Sequence, residues 1–455
     1  MDENSTICAV STPQGAGGIS VIRISGENAI DIAAKIFRPF GGKRVEDMQG
    51  HTCAYGAVIS NGERIDDAVL TVFRAPKSYT GENTAELSCH GGIYLTRRVL
   101  RACIENGARP AEAGEFTKRA FLNGKMSLTQ AESVMELISA SGENALRSAN
   151  CVREGKLFGQ IKAACDTLVG LLADLAAWND YPDEDIPSVE TENMKNSLGS
   201  IKNQLDDILK NYDRGRIFRN GVDTAIIGKP NVGKSTLMNM LLGYKRSIVT
   251  DTAGTTRDVI EESCELGGVL LRLSDTAGIR TSDNEIESIG VELAQDKLES
   301  CELAIAVFDS SQPLDGGDRD ILKSLEGKNA VVVLNKADLP QAVTEADFPQ
   351  FERIARISAK QGKGLAELEN AIIGALGLQT YEPQSAMFAN ERQKDCALGA
   401  VKYISAASEA LESGETLDAV TVMLDMAADR LLELTGEKAT ESVVEQVFSR
   451  FCVGK

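Results

Sequence analysis

The sequence has few residues that could build a zinc site or a disulfide framework. Its 455 residues include only two histidines, and its ten cysteines form no Cys-x-x-Cys pair. Scattered cysteines of this kind are typical of free thiols in a reducing cytosol, and they argue against structural zinc. No apolar run approaches the roughly 18 residues of a membrane span, and the N-terminus lacks the pattern of a secretory signal. We therefore expect a cytoplasmic protein without membrane contact.

Positive charge is also scarce. The net charge is −19, which argues against a protein covered with nucleic-acid contacts, while 43% hydrophobic and 25% charged residues are typical of globular protein. Residues 1–125 hold 15 Lys and Arg against 14 Asp and Glu, so the excess of acid lies in the remainder. A contact with RNA would need a local basic patch. The segment 97–125 is the best candidate, although a solvated helix surface explains it equally well.

The length exceeds that of a single hydrophobic core and predicts about three domains. We predict a multidomain α/β protein with a mixed α+β domain over residues 1–118. The apolar spacing is helical over 119–216 and again over 379–455, and these two parts are expected to pack as one discontinuous helical bundle domain. Between them, residues 217–378 alternate strand and helix, which predicts an inserted, doubly wound α/β domain.

Local patterns make four further predictions. Asn61-Gly62 lies between two strand-like runs and predicts a tight hairpin. The glycine-rich stretch 13–18 is followed by a strand pattern rather than a helix, so it is not a dinucleotide-binding loop. Ser127 and Gln130 have the spacing of a capping box at a helix start. The acidic stretch 181–185 interrupts the helical pattern and is either a metal site or, more simply, a solvated turn.

Residues 228–235, Gly-Lys-Pro-Asn-Val-Gly-Lys-Ser, have the spacing of a phosphate-binding loop. A β-branched run precedes them and an apolar helical pattern follows, which is the context that this motif requires. Backbone N–H groups and the positive end of the helix can bind phosphate, Lys234 can reach the β- and γ-phosphates, and Ser235 can hold Mg²⁺. The residues expected to contact the nucleotide here are Asn231, Val232, Gly233, Lys234, Ser235 and Thr236.

Two further stretches predict a magnesium and γ-phosphate site. The stretch 275–278, Asp-Thr-Ala-Gly, follows a predicted strand, so its carboxylate can join the Mg²⁺ shell and its glycine N–H can meet the γ-phosphate. The loop 250–258 is rich in hydroxyl groups and glycine, as in a switch that closes on the nucleotide, and Thr256 is expected to complete the metal shell. The residues expected to contact the nucleotide are Thr250, Asp251, Thr252, Ala253, Gly254, Thr255, Thr256, Asp275, Thr276, Ala277 and Gly278.

Two motifs at predicted strand ends favour guanine over adenine. In the stretch 335–338, Asp338 can accept both N–H donors of the guanine edge, and Asn335 complements the O6 and N7 acceptors. The stem of Lys336 can cover the base. The stretch 358–360 can contact guanine O6 through its backbone, and its residues are Ser358, Ala359 and Lys360. Four motifs in this order, each at a strand end, predict a GTP-binding domain.

The motif set lacks a residue that orients the attacking water. Ile279 follows the Asp-Thr-Ala-Gly stretch, where signalling GTPases place a glutamine, and its side chain cannot hydrogen bond to water. Arg257 and Arg280 are candidates for stabilising charge in the transition state. The next acids along the chain, each of which could also be an ordinary exposed side chain, are Asp283, Glu285 and Glu287.

The motifs together resemble those of the MnmE (TrmE) family of tRNA-modifying GTPases. The resemblance rests on Gly-Lys-Pro-Asn-Val-Gly-Lys-Ser, Gly-Thr-Thr-Arg-Asp and Asp-Thr-Ala-Gly-Ile-Arg, on N-terminal segments such as Ile-Arg-Ile-Ser-Gly, and on the terminal Phe-Cys-Val-Gly-Lys. It covers nearly the full length. It implies a Ras-like G domain inserted in the helical domain and a GTPase that acts with the flavoprotein MnmG (GidA). The implied reaction adds an aminomethyl or carboxymethylaminomethyl group at C5 of the wobble uridine, U34, of certain tRNAs.

The resemblance also implies a folate site in the N-terminal domain. The one-carbon unit would come from a 5,10-methylene- or 5-formyl-tetrahydrofolate, and matching positions assign its contacts to Arg23, Glu86, Lys125 and Lys455. Cations suit the carboxylates of a folate tail, and a glutamate suits the donors of its pterin. The same resemblance implies a homodimer through the N-terminal domain and a heterotetramer with MnmG.

Potassium activation is a further implication of the family resemblance. K⁺ near the phosphates would supply the missing positive charge, with ligands from Asn231, Thr250, Thr252 and Thr255. Glu287 matches the position of a general base that acts through a bridging water. Cys452 corresponds to a thiol considered catalytic in the family, and a buried terminal cysteine is the alternative explanation.

Two other functions are compatible with the GTP-binding motifs. A ribosome-assembly GTPase that binds rRNA would need a basic RNA-binding module, which the acidic remainder of the chain argues against. A nucleotide-gated scaffold with slow hydrolysis would depend on Asp338 for its action but not on Glu287.

Overall fold

The computed structural model describes residues 5–140, 142–180, 191–244, 262–275, 298–379 and 386–455. The chain divides into two compact units. One comprises Met1–Met135, Phe158–Gly199 and Asp395–Lys455, and the other comprises Glu136–Leu157 and Ser200–Lys394. The loop of the predicted phosphate site and the predicted folate residues therefore belong to different units.

α-Helices make up much of the described chain outside the two sheets. None of the described helices is long and apolar enough to span a membrane. In chain order they are α1 (Ala29–Ile36), α2 (Ile93–Glu105), α3 (Glu115–Leu122), α4 (Leu128–Ser139), α5 (Glu143–Arg153), α6 (Lys156–Asp180), α7 (Thr191–Asn220), α8 (Lys234–Tyr244), α9 (Gly316–Ser324), α10 (Leu365–Ala375), α11 (Glu391–Ser413), α12 (Leu417–Thr435) and α13 (Glu441–Phe448).

The first unit contains a seven-stranded sheet in the order β3-β4-β5-β6-β2-β1-β7. Its neighbouring strands are antiparallel except for the parallel pair β1 and β7. The strands are β1 (Ile7–Val10), β2 (Ile19–Ser25), β3 (Phe37–Pro39), β4 (Thr52–Ser60), β5 (Glu63–Phe73), β6 (Thr84–His90) and β7 (Arg109–Pro110).

The alternation of side chains along β2 places Arg23 on the face of the sheet that points away from the hydrophobic core. Ile22 and Ile24 are fully buried in a cluster that includes Val99 of α2. Because successive residues of a strand point to opposite faces, Arg23 lies on the face away from that cluster. The same antiparallel register pairs Arg23 with Glu86 on β6. A strand pattern thus brings two predicted folate residues together.

The local predictions for this unit are confirmed. β4 and β5 pair from Ser60 and Glu63 outward, and the two residues between them, Asn61 and Gly62, have φ of 51° and 80°. Positive φ at both positions is the geometry of a type I′ hairpin turn. The glycine-rich stretch 13–18 leads into strand β2, as predicted, so it does not open a helix.

Helical segments from before and after the inserted domain share a core within the first unit. Leu128 and Ala131 of α4 cluster with Val444 and Phe448 of α13 and with Phe451 of the C-terminal segment. The predicted capping box at the start of α4 is confirmed. The backbone N–H of Ser127 donates to Oε1 of Gln130 at 2.9 Å, and the N–H of Gln130 donates to Oγ of Ser127 at 3.3 Å.

The second unit contains a six-stranded sheet in the order β13-β12-β11-β8-β10-β9. All neighbouring strands are parallel except for the antiparallel pair β9 and β10. The doubly wound fold predicted for this part of the chain is confirmed. The strands are β8 (Val222–Ile227), β9 (Glu262–Leu266), β10 (Val269–Asp275), β11 (Leu303–Asp309), β12 (Ala330–Asn335) and β13 (Ile354–Arg356).

Both faces of this sheet are covered, which explains its continuous apolar strands. On β12, Val331 and Val333 join one buried cluster, whereas Val332 and Leu334 join a second cluster on the opposite face. β8 lies between β10 and β11. Because ligands of open α/β sheets bind at the carboxyl ends of the strands where the strand order reverses, the loop after β8 is at the expected binding position.

Sequence patterns missed several short or extended elements. The helical pattern predicted to end at residue 216 continues in the structure, where α7 runs to Asn220 and ends just before β8. Strands β3 and β7 have three and two residues, too few for an alternating pattern to be recognised. The acidic stretch 181–185 lies outside the described residues.

Candidate nucleotide and folate sites

The phosphate loop connects the end of β8 to the start of α8. Gly228, with φ of 149°, follows the last residue of the strand, and a Cβ at this position would lie 2.4 Å from the carbonyl oxygen of Val307 on β11. Only glycine therefore fits there without moving the neighbouring strand. Asn231 has φ of 64°, a left-handed conformation that asparagine tolerates better than most residues. The loop conformation follows from these residue types.

Lys234 spans this loop from the first turn of α8. Its Nζ donates to the carbonyl oxygens of Gly228 and Lys229, each at 2.8 Å. Ser235 and Thr236 follow it and are exposed. The helix N-terminus and the ammonium group make this end of the sheet favourable for phosphate, and the serine hydroxyl is open to a hard cation such as Mg²⁺.

Asn335 joins three of the predicted motifs. Its Nδ2 donates to the carbonyl oxygen of Val232 at 2.8 Å, and its Oδ1 accepts from the N–H of Ala359 at 3.0 Å. Gly233 leaves the room for this amide, since a Cβ there would lie 2.2 Å from Nδ2. The amide has a second N–H, which matches the acceptors on guanine.

Asp338 lies exposed at the end of the same loop, as a base-recognition carboxylate requires. Its Oδ1 accepts from Oγ of Ser358 at 2.5 Å, and this hydrogen bond is the main cause of the lowered pKa of Asp338. The side chain is therefore ionised at neutral pH. An ionised carboxylate has only acceptors, which complement the N1–H and N2–H₂ donors of guanine. Lys360 is exposed next to this pair.

Lys336 is fixed by an aspartate that the sequence analysis did not single out. Its Nζ lies 2.6 Å from Oδ2 of Asp309, the last residue of β11. Burial raises the pKa of Asp309, but hydrogen bonds from Lys336 and Ser311 outweigh it and the net pKa is lowered. The lysine stem, which is predicted to cover the base, thus has a fixed anchor.

The remaining predicted residues of the nucleotide site lie outside the described parts of the chain, apart from the backbone of Asp275, which ends β10 beside β8. Ile279 and the candidate arginines Arg257 and Arg280 lie outside them as well. The predicted site residues that the structure does not describe are Thr250, Asp251, Thr252, Ala253, Gly254, Thr255, Thr256, Thr276, Ala277, Gly278 and Glu287.

In the first unit, Arg23 and Glu86 form a partly buried ion pair. Nε of Arg23 lies 2.8 Å from Oε1 of Glu86, and their side chains are 15% and 24% exposed. The guanidinium also lies over the rings of Tyr79 and Phe116, 5.4 and 5.6 Å from their centroids. Stacking on two rings fixes its plane, so both charges have defined directions.

The C-terminal residue Lys455 lies close to this pair. Burial lowers the pKa of Lys455, the positive charge of Arg23 lowers it further, and Glu86 opposes the shift. The tail is held by contacts with the sheet, because Oγ of Ser11 donates to the carbonyl oxygen of Gly454 at 3.1 Å. Gly454 has φ of 100°, and a Cβ there would lie 2.4 Å from the carbonyl oxygen of Val10. These contacts place the last residue of the tail beside Arg23.

The other two predicted residues of this region have separate environments. Nζ of Lys125 donates to the carbonyl oxygen of Pro76 at 3.0 Å. Cys452 is exposed, so the alternative explanation of a buried terminal cysteine is wrong. The tail approaches the sheet through its backbone, with Val453 bridging to Ala113, and this leaves the thiol on the outside.

A buried charge network beside the Arg23 region was not anticipated from the sequence. Arg119 is 7% exposed, donates to Glu82 at 3.1 Å and to Glu115 at 3.0 Å, and also bonds the carbonyl oxygen of Ser5 at 2.7 Å. Its partner Glu115 also pairs with Arg109. Such buried charges require complete pairing. Glu82 is distant in sequence from the other three residues, and no local pattern identifies the network.

The strand order, the phosphate loop and the base-recognition loop define the second unit as a guanine-nucleotide-binding domain of the phosphate-loop class. Comparison with known proteins then assigns nearly the whole chain to a family. A family model described as "GTP-binding protein TrmE N-terminus" matches residues 6–125, and one described as "MnmE helical domain" matches residues 128–452.

Several curated relatives match over the full length, including the following two. The tRNA modification GTPase MnmE of Acetivibrio thermocellus is 41% identical over 464 residues, covering 100% of both chains. That of Streptococcus thermophilus is 40% identical and covers 100% of this chain and 99% of its own. Among solved structures, the G domain of the T. maritima FeoB iron transporter is 26% identical, covering 34% of this chain and 98% of that one, with a TM-score of 0.26. The chain belongs to the MnmE family of tRNA modification GTPases.

Proposed function

We propose that the protein hydrolyses GTP in its second unit and uses this reaction to drive modification of C5 of the wobble uridine in certain tRNAs. Its partner in the reaction is the flavoprotein MnmG, and the product carries a carboxymethylaminomethyl or aminomethyl group. The observation that carries the proposal is the position of Lys455 beside Arg23 and Glu86. A terminal tail that delivers a cation to an ion pair, in a chain with a guanine-nucleotide site elsewhere, favours two cooperating sites over a simple GTP switch.

The nucleotide site supports GTP binding through its described side chains. Lys234 contacts the β- and γ-phosphates, Ser235 holds Mg²⁺, and Asp338 accepts the guanine donors. The magnesium ion supplies charge neutralisation at the phosphates. Asn335 orients the base loop against the phosphate loop, because its amide contacts Val232 and Ala359 together.

Potassium supplies the positive charge that the motif set lacks. Asn231, exposed and left-handed on the phosphate loop, presents its amide as one ligand. The other proposed ligands, which lie outside the described residues, are Thr250, Thr252 and Thr255, and Glu287 is the proposed general base. Hydrolysis then depends on association of two G domains across their switch loops.

The Arg23 region supports binding of a reduced folate. Arg23 and Lys455 provide positive charge for carboxylates, and Glu86 provides acceptors for the donors of a pterin. Lys125 is proposed to contact the same ligand. The folate, as 5,10-methylene- or 5-formyl-tetrahydrofolate, supplies the one-carbon unit. The exposed thiol of Cys452 is available as a catalytic group next to this tail.

The proposed assembly is a cytoplasmic homodimer joined through the N-terminal domain, and with MnmG it forms a heterotetramer that binds tRNA. The closest test is mass spectrometry of nucleosides from tRNA of cells that lack this protein. We expect the C5 modification of wobble uridine to disappear and to return with a plasmid-borne copy. If these cells kept the wild-type amount of C5-modified wobble uridine and instead showed a defect in ribosomal subunits, the result would contradict the proposal and favour a ribosome-assembly GTPase.

A further inference from the structure

Two carboxylates hold the second residue of the phosphate loop. Nζ of Lys229 lies 2.6 Å from Oδ2 of Asp315 and 2.7 Å from Oδ2 of Asp318. Both aspartates lie at the start of α9, which follows β11. They bring the segment after β11 into direct contact with the loop after β8. These ion pairs raise the pKa of Lys229 and lower that of Asp315, so both groups stay charged at neutral pH.

The aspartates are themselves locked together. Oδ2 of Asp318 accepts from the N–H of Asp315 at 3.0 Å, and Oδ1 of Asp315 accepts from the N–H of Asp318 at 3.2 Å. This reciprocal pair is a capping box. The side chain of Asp318 is 6% exposed. A buried carboxylate requires a cation, and within the described part of the chain Lys229 is the cation that contacts Asp318.

The same lysine contacts the phosphate-binding machinery through its backbone. The carbonyl oxygen of Lys229 accepts from Nζ of Lys234 at 2.8 Å. Its stem lies against Gly317, where an added Cβ would be 3.3 Å from Cδ. Lys229 is thus anchored at the end of its side chain, packed along its stem and bonded at its carbonyl. A displacement of Asp318 would therefore act on the loop through the side chain of Lys229.

We propose that Asp315 and Asp318 are positioning residues of the nucleotide site, which anchor Lys229 and thereby hold the phosphate loop in the conformation that receives the β-phosphate. The proposal rests on the proposed binding of guanine nucleotides. It assigns to the start of α9 a role in nucleotide affinity, although neither aspartate needs to touch the nucleotide. The affinity that is lost when this anchor is removed should come from contacts with the phosphates rather than with the base.

The test is equilibrium binding of fluorescent mant-GDP to the full-length protein, with GDP and GMP as competitors. Lys229→Met and Asp318→Asn should each weaken GDP binding about tenfold, because a charge-assisted contact in a fixed network is lost. The double variant should be no weaker than Lys229→Met alone, since Asp318 acts on the loop through Lys229. Lys229→Arg keeps the charge and should restore most of the affinity.

Asp320→Asn is the matched control. Asp320 lies on the same helix, pairs only with the exposed Lys323 at 3.6 Å among the described residues, and is itself exposed. It should bind GDP as the wild type does. Lys229→Met leaves both aspartates and their backbone bonds in place, so helix α9 keeps its cap in this variant.

The ratio of GDP to GMP affinity separates positioning from general damage. Anchoring of the phosphate loop predicts that GDP loses more affinity than GMP, because the β-phosphate depends most on the loop. Equal losses for the two nucleotides, additive single variants, or wild-type affinity in Lys229→Met would each overturn the proposal. Failure of the wild-type protein to bind mant-GDP would instead overturn the proposed nucleotide site itself.

Discussion

The side-chain amide of Asn335 lies 2.8 Å from the carbonyl oxygen of Val232, so the base-recognition loop and the phosphate loop are joined by one hydrogen bond. The other end of the same amide accepts from the N–H of Ala359 at 3.0 Å. Asn335 is 3% exposed. One residue therefore positions two loops that are predicted to meet opposite ends of a nucleotide, and its removal should affect binding and stability together.

Replacing Asn335 by alanine should weaken guanine-nucleotide binding and destabilise the second unit. The carbonyl of Val232 and the N–H of Ala359 would be left unpaired in a buried position, which costs about 1–3 kcal/mol for each group. We expect a lower unfolding midpoint in thermal denaturation of the nucleotide-free protein, and a higher dissociation constant for GDP. Asn329→Ala, at an exposed position near the start of β12, is the control. An unchanged midpoint for Asn335→Ala would contradict this structural role.

Replacing Asp338 by asparagine should change base specificity. The carboxylate offers two acceptors to the guanine edge, whereas asparagine offers one acceptor and one donor. Xanthine has an oxygen in place of the guanine amino group and matches that new donor. We expect a loss of GTP affinity and a gain for xanthosine triphosphate in competition binding.

Asp347→Asn provides the control for the base-specificity experiment. Asp347 caps the turn at Thr344 and is exposed. It should leave the preference for guanine unchanged. If Asp338→Asn kept the wild-type preference, the assignment of Asp338 to the guanine edge would be wrong.

The half-buried position of Lys455 predicts a dependence of stability on pH. Its pKa is lowered from 10.5 in the folded chain, first by burial and then by Arg23. Between the folded pKa and 10.5, the unfolded chain binds more protons than the folded chain, so the free energy of unfolding rises with pH in this interval. Lys455→Met should remove this contribution. Urea unfolding curves across the alkaline range, for wild type and variant, give the measurement, and identical slopes would refute the placement of the tail.

Replacing Arg23 should abolish folate binding without unfolding the sheet. Arg23→Met removes the cation beside Glu86, and with it the guanidinium that lies over Tyr79 and Phe116, but keeps an unbranched side chain of similar length. Arg23→Lys keeps the charge and loses the planar group, so we expect an intermediate affinity. Isothermal titration with 5-formyl-tetrahydrofolate measures both. Arg38→Met changes an exposed arginine of the same sheet and should bind as wild type.

The sequence predicted those parts of the structure whose geometry depends on residues that are adjacent along the chain. The hairpin at Asn61-Gly62 and the phosphate loop follow from local backbone preferences and from apolar runs on either side. The approach of Lys455 to Arg23 joins the two ends of the chain, and it was expected only from family resemblance. The contact of Lys229 with Asp318 could not be predicted either, because it depends on which strands are neighbours in the sheet. A capping-box pattern at 315–318 is visible in the sequence, but the lysine that completes it is not.

The central claim, that the nucleotide site and the Arg23 region serve one reaction, is tested by complementation. Cells lacking this protein would receive wild-type, Asp338→Asn or Arg23→Met copies at equal expression, and the C5-modified wobble uridine of their tRNA would be measured by mass spectrometry. We predict full modification with the wild-type copy and almost none with either variant. If the Asp338→Asn copy gave no modification but the Arg23→Met copy gave normal modification, the result would contradict the claim that both sites are needed.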